Sequence, residues 1–135
     1  NSIAYTDRFL GKTIDWLTAG SDRYDSAMLY VSDHGEWQGE FGLFLHGMPW
    51  SIAPIEQKKV PMVMWLSSGY KRSFGLSAEC LRAQAQKPSS HDQLFPTVLG
   101  LLDVQTRAHE EALDFSQPCR PRAEPVRAAR GGAAS

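Results

Sequence analysis

Three side chains able to ligate a metal gather in one region of the sequence. Asp33 and His34 are adjacent within Ser32-Asp33-His34-Gly35-Glu36, and His46 follows His34 by twelve residues in Leu45-His46-Gly47. A carboxylate oxygen and two imidazole nitrogens suit a zinc-like ion, because calcium and magnesium prefer all-oxygen shells. Two adjacent ligands and one distant ligand leave such a shell incomplete. The competing reading is a plain turn, in which Asp33 caps, His34 packs and Gly35 supplies a left-handed backbone position.

Ligands need a rigid support. Ala27-Met28-Leu29-Tyr30-Val31 is a near-continuous apolar run of strand length that gives way to polar residues at Ser32. That is the pattern of a buried parallel strand, at whose carboxyl end open α/β sheets place their ligands. From Ser32 to Lys59 neither a helical nor an alternating period is present, yet Trp37, Phe41, Phe44, Met48 and Trp50 make the segment too apolar for a solvated linker. A long apolar loop inside a compact domain is usually functional. Gly35, Gly39, Gly42 and Gly47 permit tight turns and close approach of backbone to a ligand, and Glu36 and Glu40 add negative charge beside the cation site.

The remaining order reads helix, strand, loop, strand, helix, helix, tail. Ile3, Leu10, Ile14 and Leu17 share a helical face with Gly20 as a stop, leaving Asp7 and Asp15 to solvent. A second strand spans about Val60 to Leu66, with Pro61 marking an entry or edge position. Ser77 to Gln86 reads as a short helix ended before Pro88. Ser90-His91-Asp92-Gln93 has capping-box spacing for a helix to about Val104, which Pro96 bends or delays, and His91 at its start reads as structural rather than catalytic. His109 stands in a polar stretch and is expected to be exposed.

Two strands are too few for an independent doubly wound sheet. The chain begins at Asn1 without methionine, shows no secretory signal and has no apolar stretch near the ~20 residues that cross a bilayer, so it is expected to be a piece of a longer protein. A formal charge of −1 with 42% hydrophobic residues gives no basic field of the kind that binds nucleic acid. After Gln117 the composition shifts to Pro118, Pro121, Pro125 and arginines 120, 122, 127 and 130 against Glu124, a charge of +3 that leaves −4 for the rest. Residues 117–135 are therefore expected to be a disordered basic tail behind a domain spanning 1–116. The spacing of Cys80 and Cys119 fits no zinc motif, and free buried thiols are the plain reading of both.

The run Tyr30-Val31-Ser32-Asp33-His34-Gly35-Glu36, then Gly39-Glu40, Gly42-Leu43 and Leu45-His46-Gly47-Met48-Pro49, resembles the metal-binding segment of the lipid A phosphoethanolamine transferases. These are membrane-anchored enzymes of the alkaline phosphatase and sulfatase superfamily. The likeness continues through Ile52-Ala53-Pro54, Val60-Pro61, Met64-Trp65-Leu66, Ser90-His91-Asp92-Gln93-Leu94-Phe95 and Leu99 to Thr106, and reaches back to Tyr5-Thr6-Asp7. Asp-His-Gly alone is common to the superfamily, whereas the string to Leu-His-Gly-Met-Pro is far more specific.

The resemblance implies the C-terminal part of a three-layer α/β/α alkaline-phosphatase-like domain. It implies zinc held by Asp33 and His34, with an acidic ligand and the threonine nucleophile coming from earlier sequence, so that no catalytic nucleophile lies in this chain. His46 would bind a second zinc or touch the substrate phosphate. Glu36 would face the ethanolamine ammonium, and Pro49 and Trp50 would lie on the pocket rim. Trp37 and Trp50 depart from the small or polar residues expected there. The implied donor is phosphatidylethanolamine and the acceptor is lipid A, the modification associated with polymyxin resistance. The implied location is the bacterial inner membrane, reached through an N-terminal anchor absent here, with the catalytic domain in the periplasm. Disulfides persist in that compartment, so a Cys80–Cys119 bridge stands beside the free-thiol reading. Rival readings are a sulfatase or phosphoglycerol transferase of the same superfamily, and a truncated copy that catalyses nothing; the chain by itself is expected to be inactive.

Overall fold

The computed structural model describes residues 2–35, 49 and 51–121. The elements run α1 (Ser2–Ala19), β1 (Ala27–Val31), α2 (Ile55–Lys58), β2 (Met62–Leu66), α3 (Ser68–Ser73), α4 (Ala78–Gln84) and α5 (Leu94–Leu101), with 3-10 turns at His91–Gln93 and Gln117–Cys119. The chain divides into two units, Asn1–Ser73 and Phe74–Ser135.

In the first unit, β1 and β2 pair in antiparallel register from Ala27 opposite Leu66 to Val31 opposite Met62. The expectation of a buried parallel strand is corrected for this pair: its neighbour is antiparallel and its residues are mostly half-buried. An apolar run reports burial on two faces, not the direction of the partner. The pairing continues past β1, where the Ser32 N–H donates to the Pro61 carbonyl at 3.2 Å. Pro61, which has no N–H, accepts there, so its place just before β2 removes no ladder bond.

At the other end of the ladder, Ser67 is buried and joins strand to helix. Its N–H donates to the Ser26 carbonyl, and its hydroxyl accepts from the N–H of Ser26 and of Tyr70, each at 3.0 Å. It thereby caps α3, a helix that periodicity did not reveal. Gly69 lies against Asp25, whose carboxylate accepts the Ser73 hydroxyl at 2.5 Å. A Cβ at Gly69 would come within 1.9 Å of Asp25 Oδ1, so a side chain there would displace the exposed Asp25 carboxylate from its contact with Ser73.

In the second unit, Ser77 caps α4 by accepting from the Cys80 N–H, and Ser90 forms the expected capping box with Gln93. Pro96 falls in the first turn of α5, where an N–H has no intrahelical partner, so the helix proceeds. It stops at Leu101 rather than near Val104, because Asp103 adopts φ 54°. The Val104 N–H reaches the Leu99 carbonyl and the Asp103 N–H the Gly100 carbonyl, the two bonds of a Schellman ending. Asp103→Gly is expected to stabilise the chain by up to about 1 kcal/mol, since glycine occupies that backbone region without strain. A midpoint shift in urea unfolding measures it, and an unchanged or lower midpoint would refute it.

The core of this unit is partly polar. Asp114 has a side chain with 0% exposure, and its Oδ1 accepts from the Ser116 N–H and hydroxyl, both at 2.8 Å. Its Oδ2 lies 3.1 Å from His109 Nε2. His109 is therefore not exposed as expected but largely covered, with its partner five residues away. The buried Thr97 hydroxyl accepts from the Phe115 N–H at 2.9 Å. Asp114 can sit so close to α5 because Gly100 has no side chain: a Cβ there would meet Asp114 Oδ2 at 1.9 Å. Gly100→Ala is expected to cost about 2 kcal/mol or more, since backbone or a buried carboxylate must move. Thermal unfolding tests this, and a melting temperature within error of the parent would contradict it.

The ordered body continues beyond residue 116. Cys119 is bridged to Cys80, the Ser77 N–H donates to the Cys119 carbonyl at 3.1 Å, and Arg120 stacks over the Phe74 ring at 5.6 Å while donating to the Gly100 carbonyl. A disordered tail from residue 117 is thus corrected through Pro121; the rest of that prediction, residues 122–135, lies outside the described residues.

Candidate metal centre

Asp33 and His34 follow β1 directly, so the ladder fixes where their backbone starts. Three further contacts shape the turn. The Ser32 hydroxyl donates to the His34 carbonyl at 2.8 Å, the His34 N–H donates to Asp33 Oδ1 at 3.0 Å, and the Gly35 N–H donates to the Gln57 carbonyl of α2 at 3.2 Å. The turn is therefore held from β1 on one side and from α2 on the other. Ser32 shapes the turn through its hydroxyl, whereas Gly35 acts through its backbone N–H and does not take the left-handed conformation expected of it.

Asp33 Oδ2 and His34 Nε2 are 3.8 Å apart. A tetrahedral zinc with bonds of about 2.0 Å places neighbouring donors roughly 3.3 Å apart, so a small adjustment brings both onto one ion. Their side chains are 89% and 54% exposed, which leaves room for that adjustment. His34 Nδ1 lies 3.0 Å from the Gly35 carbonyl, which can only accept, so this contact is made when Nδ1 carries a proton. A ligating histidine commonly has its other ring nitrogen fixed in this manner. The donor set fits a zinc-like ion.

Among the described residues no third histidine, cysteine, aspartate or glutamate joins them. His46, Glu36 and Trp50, expected at the same site, lie outside the described residues, as do Trp37 and Glu40. Pro49 is exposed, and its carbonyl accepts from the N–H of Ile52 and Ala53 at 3.0 and 2.9 Å, so it opens a tight turn. His91 starts its 3-10 turn as an exposed residue. Sequence reasoning did not find Ser32 and Gln57 as supports of the ligand turn. Gln57 acts through its backbone carbonyl, for which no side-chain signal exists; Ser32 carries one only in being a short hydroxyl two residues before His34.

A sulfatase family model matches residues 1–104. The chain is 43% identical over 121 residues to the phosphoethanolamine transferase EptA of Escherichia coli K12, a match covering 89% of this chain and 22% of the relative. It is 41% identical over 117 residues to the phosphatidylethanolamine transferase Mcr-2 of Escherichia coli, covering 87% and 20%. The crystal structure of the soluble domain of lipooligosaccharide phosphoethanolamine transferase A from Neisseria meningitidis superposes with a TM-score of 0.81 at 40% identity, over 87% of this chain and 35% of that one. The chain spans about a fifth of the length of these curated relatives. Its fold is that of part of a sulfatase or alkaline-phosphatase-like α/β domain.

Proposed function

The chain belongs to the sulfatase family, and from that premise we propose that it forms part of the catalytic domain of a zinc-dependent phosphoethanolamine transferase. The donor is phosphatidylethanolamine and the acceptor a phosphate of lipid A. A threonine hydroxyl outside this chain attacks the donor phosphorus, the bond to diacylglycerol breaks, and the acceptor phosphate then collects the phosphoethanolamine. The reading extends to an inner-membrane enzyme whose catalytic domain faces the periplasm, and the Cys80–Cys119 bridge supports an oxidising compartment.

The observation that carries the proposal is the Asp33 Oδ2 to His34 Nε2 separation of 3.8 Å at the end of β1. Asp33 and His34 would hold the zinc, which when bound neutralises phosphoryl charge and makes a coordinated hydroxyl a better nucleophile. Asp33 contributes a negative charge and an oxygen donor, and His34 a neutral nitrogen whose direction is set by the Gly35 carbonyl. Ser32 and Gln57 keep this turn from relaxing. Glu36 would receive the donor's ammonium group in a charge-assisted contact, His46 would meet the zinc or the substrate phosphate, and Pro49 and Trp50 would border the pocket.

The test is a hybrid enzyme: full-length Escherichia coli EptA with its matching stretch of 121 residues exchanged for this chain's. Lipid A from cells expressing the hybrid is expected to carry phosphoethanolamine by mass spectrometry. Unmodified lipid A from cells in which the hybrid is folded and holds zinc would overturn the proposal.

A further inference from the structure

The antiparallel register of β1 and β2 does not end with the strands. Val31 lies opposite Met62, and one step further the Ser32 N–H donates to the Pro61 carbonyl at 3.2 Å. Carried on, that register sets Asp33 opposite Val60 and His34 opposite Lys59. The Gly35 N–H closes the run on the Gln57 carbonyl at 3.2 Å, so the metal turn and residues 57–61 are tied together at both ends. Lys59 stands midway between those two ties, as the C-cap of α2. Exposure alternates along its segment: Lys58 and Val60 are half-buried, whereas Lys59 and Pro61 are exposed, as is His34 across from them. Opposed residues of an antiparallel pair have Cα atoms roughly 5 Å apart, and an extended lysine carries its ammonium about 6 Å beyond its own Cα. The Lys59 ammonium is therefore within reach of the open side of the Asp33–His34 pair.

A cation set opposite a metal site has an electrostatic consequence. Asp33 offsets one charge of a zinc ion and the acidic ligand expected from earlier sequence the other, so Lys59 leaves the filled site positive. That excess weakens the hold on the metal and strengthens the hold on any anion lying between the two. Among the described residues Lys59 forms no ion pair that would absorb its charge. Lysine suits the purpose, being a compact charge on a flexible stem that binds phosphate without a fixed fork geometry.

We infer that Lys59 receives a phosphate monoester beside the metal, which in the proposed reaction is the acceptor phosphate of lipid A. The donor fits this position less well. Its phosphate is a diester with a single charge, and its headgroup ends in an ammonium that Lys59 repels. A monoester carries up to two charges and no cation of its own. Glu36 and Lys59 would then divide the two substrates, the carboxylate taking the donor's ammonium and the lysine the acceptor's phosphate. This assignment takes its anion from the proposed transfer reaction and its position from hydrogen bonds within the chain.

Two measurements on the hybrid enzyme test it. By isothermal titration calorimetry, inorganic phosphate is expected to bind at least about fivefold more weakly in Lys59→Gln, and within about twofold of the parent in Lys59→Arg. In steady-state kinetics, Lys59→Gln is expected to raise the KM for lipid A about tenfold while the KM for phosphatidylethanolamine and the zinc content change less than about twofold. Unchanged phosphate affinity together with an unchanged KM for lipid A would overturn the inference. So would a rise in the KM for phosphatidylethanolamine alone, which would make the donor the occupant, or a loss of zinc, which would make Lys59 a support of the turn. Phosphate binding that depends on Lys59 in a hybrid that leaves lipid A unmodified would support the phosphate site and count against the proposed reaction.

Discussion

Asp33→Ala in the hybrid enzyme is expected to lower kcat/KM for phosphoethanolamine transfer about a thousandfold or more, which corresponds to about 4 kcal/mol of lost transition-state stabilisation. The loss has two sources. One of only two described donors disappears, so bound zinc should fall with activity. The His34 N–H also loses Asp33 Oδ1 as its acceptor, so the turn loosens around the remaining ligand. His34→Gln is expected to act similarly, because glutamine cannot reproduce the nitrogen that the Gly35 carbonyl orients. Metal content by inductively coupled plasma mass spectrometry and steady-state kinetics on the same preparation separate the contributions. Near-normal turnover with normal zinc in Asp33→Ala would remove Asp33 from the site.

The next largest effect is expected from the disulfide. Cys80 and Cys119 enclose a loop with a sequence separation of 39, whose closure in the chain-entropy model stabilises by about 4 kcal/mol at most. Locally the bridge does more than shorten the unfolded chain, since it holds the segment whose Cys119 carbonyl accepts the Ser77 N–H and whose Arg120 donates to the Gly100 carbonyl. Cys80→Ser with Cys119→Ser should therefore open the second unit before anything else. Amide hydrogen exchange at Ser77 and Phe115 is expected to accelerate by up to roughly a thousandfold, while that of β1 and β2 changes little. Unchanged exchange at both amides would show that the polar contacts of Asp114, Thr97 and Arg120 hold the segment without the bridge.

What the sequence revealed and what it concealed follow from how each feature is encoded. β1 was legible residue by residue because a five-residue apolar run bounded by polar residues has few alternatives. The caps at Ser77 and Ser90 were legible because capping is written in one side chain and one spacing. The antiparallel direction of β2 was not, since burial pattern carries no information on the partner's direction. α3 escaped because Ser67 and Asp25, two polar contacts made across more than forty residues of sequence, specify it better than any period does. His109 looked solvated because its neighbours are polar; its cover depends on Asp114 entering the gap left by Gly100. The segment after Gln117 has the composition of a disordered tail, and a single covalent tether at Cys119 outweighs that composition locally. At the candidate site the Asp33–His34 pair was legible as a proposal and the supports of its turn were largely not. The carbonyls of Gly35 and Gln57 orient the turn, and backbone acceptors leave no mark on residue type.

The proposal that Asp33 and His34 hold the zinc of a phosphoethanolamine transferase is tested most directly by anomalous diffraction at the zinc edge from crystals of the hybrid enzyme. A peak is expected about 2 Å from both Asp33 Oδ2 and His34 Nε2, vanishing in Asp33→Ala. Zinc bound elsewhere, with these two atoms facing solvent, would contradict it.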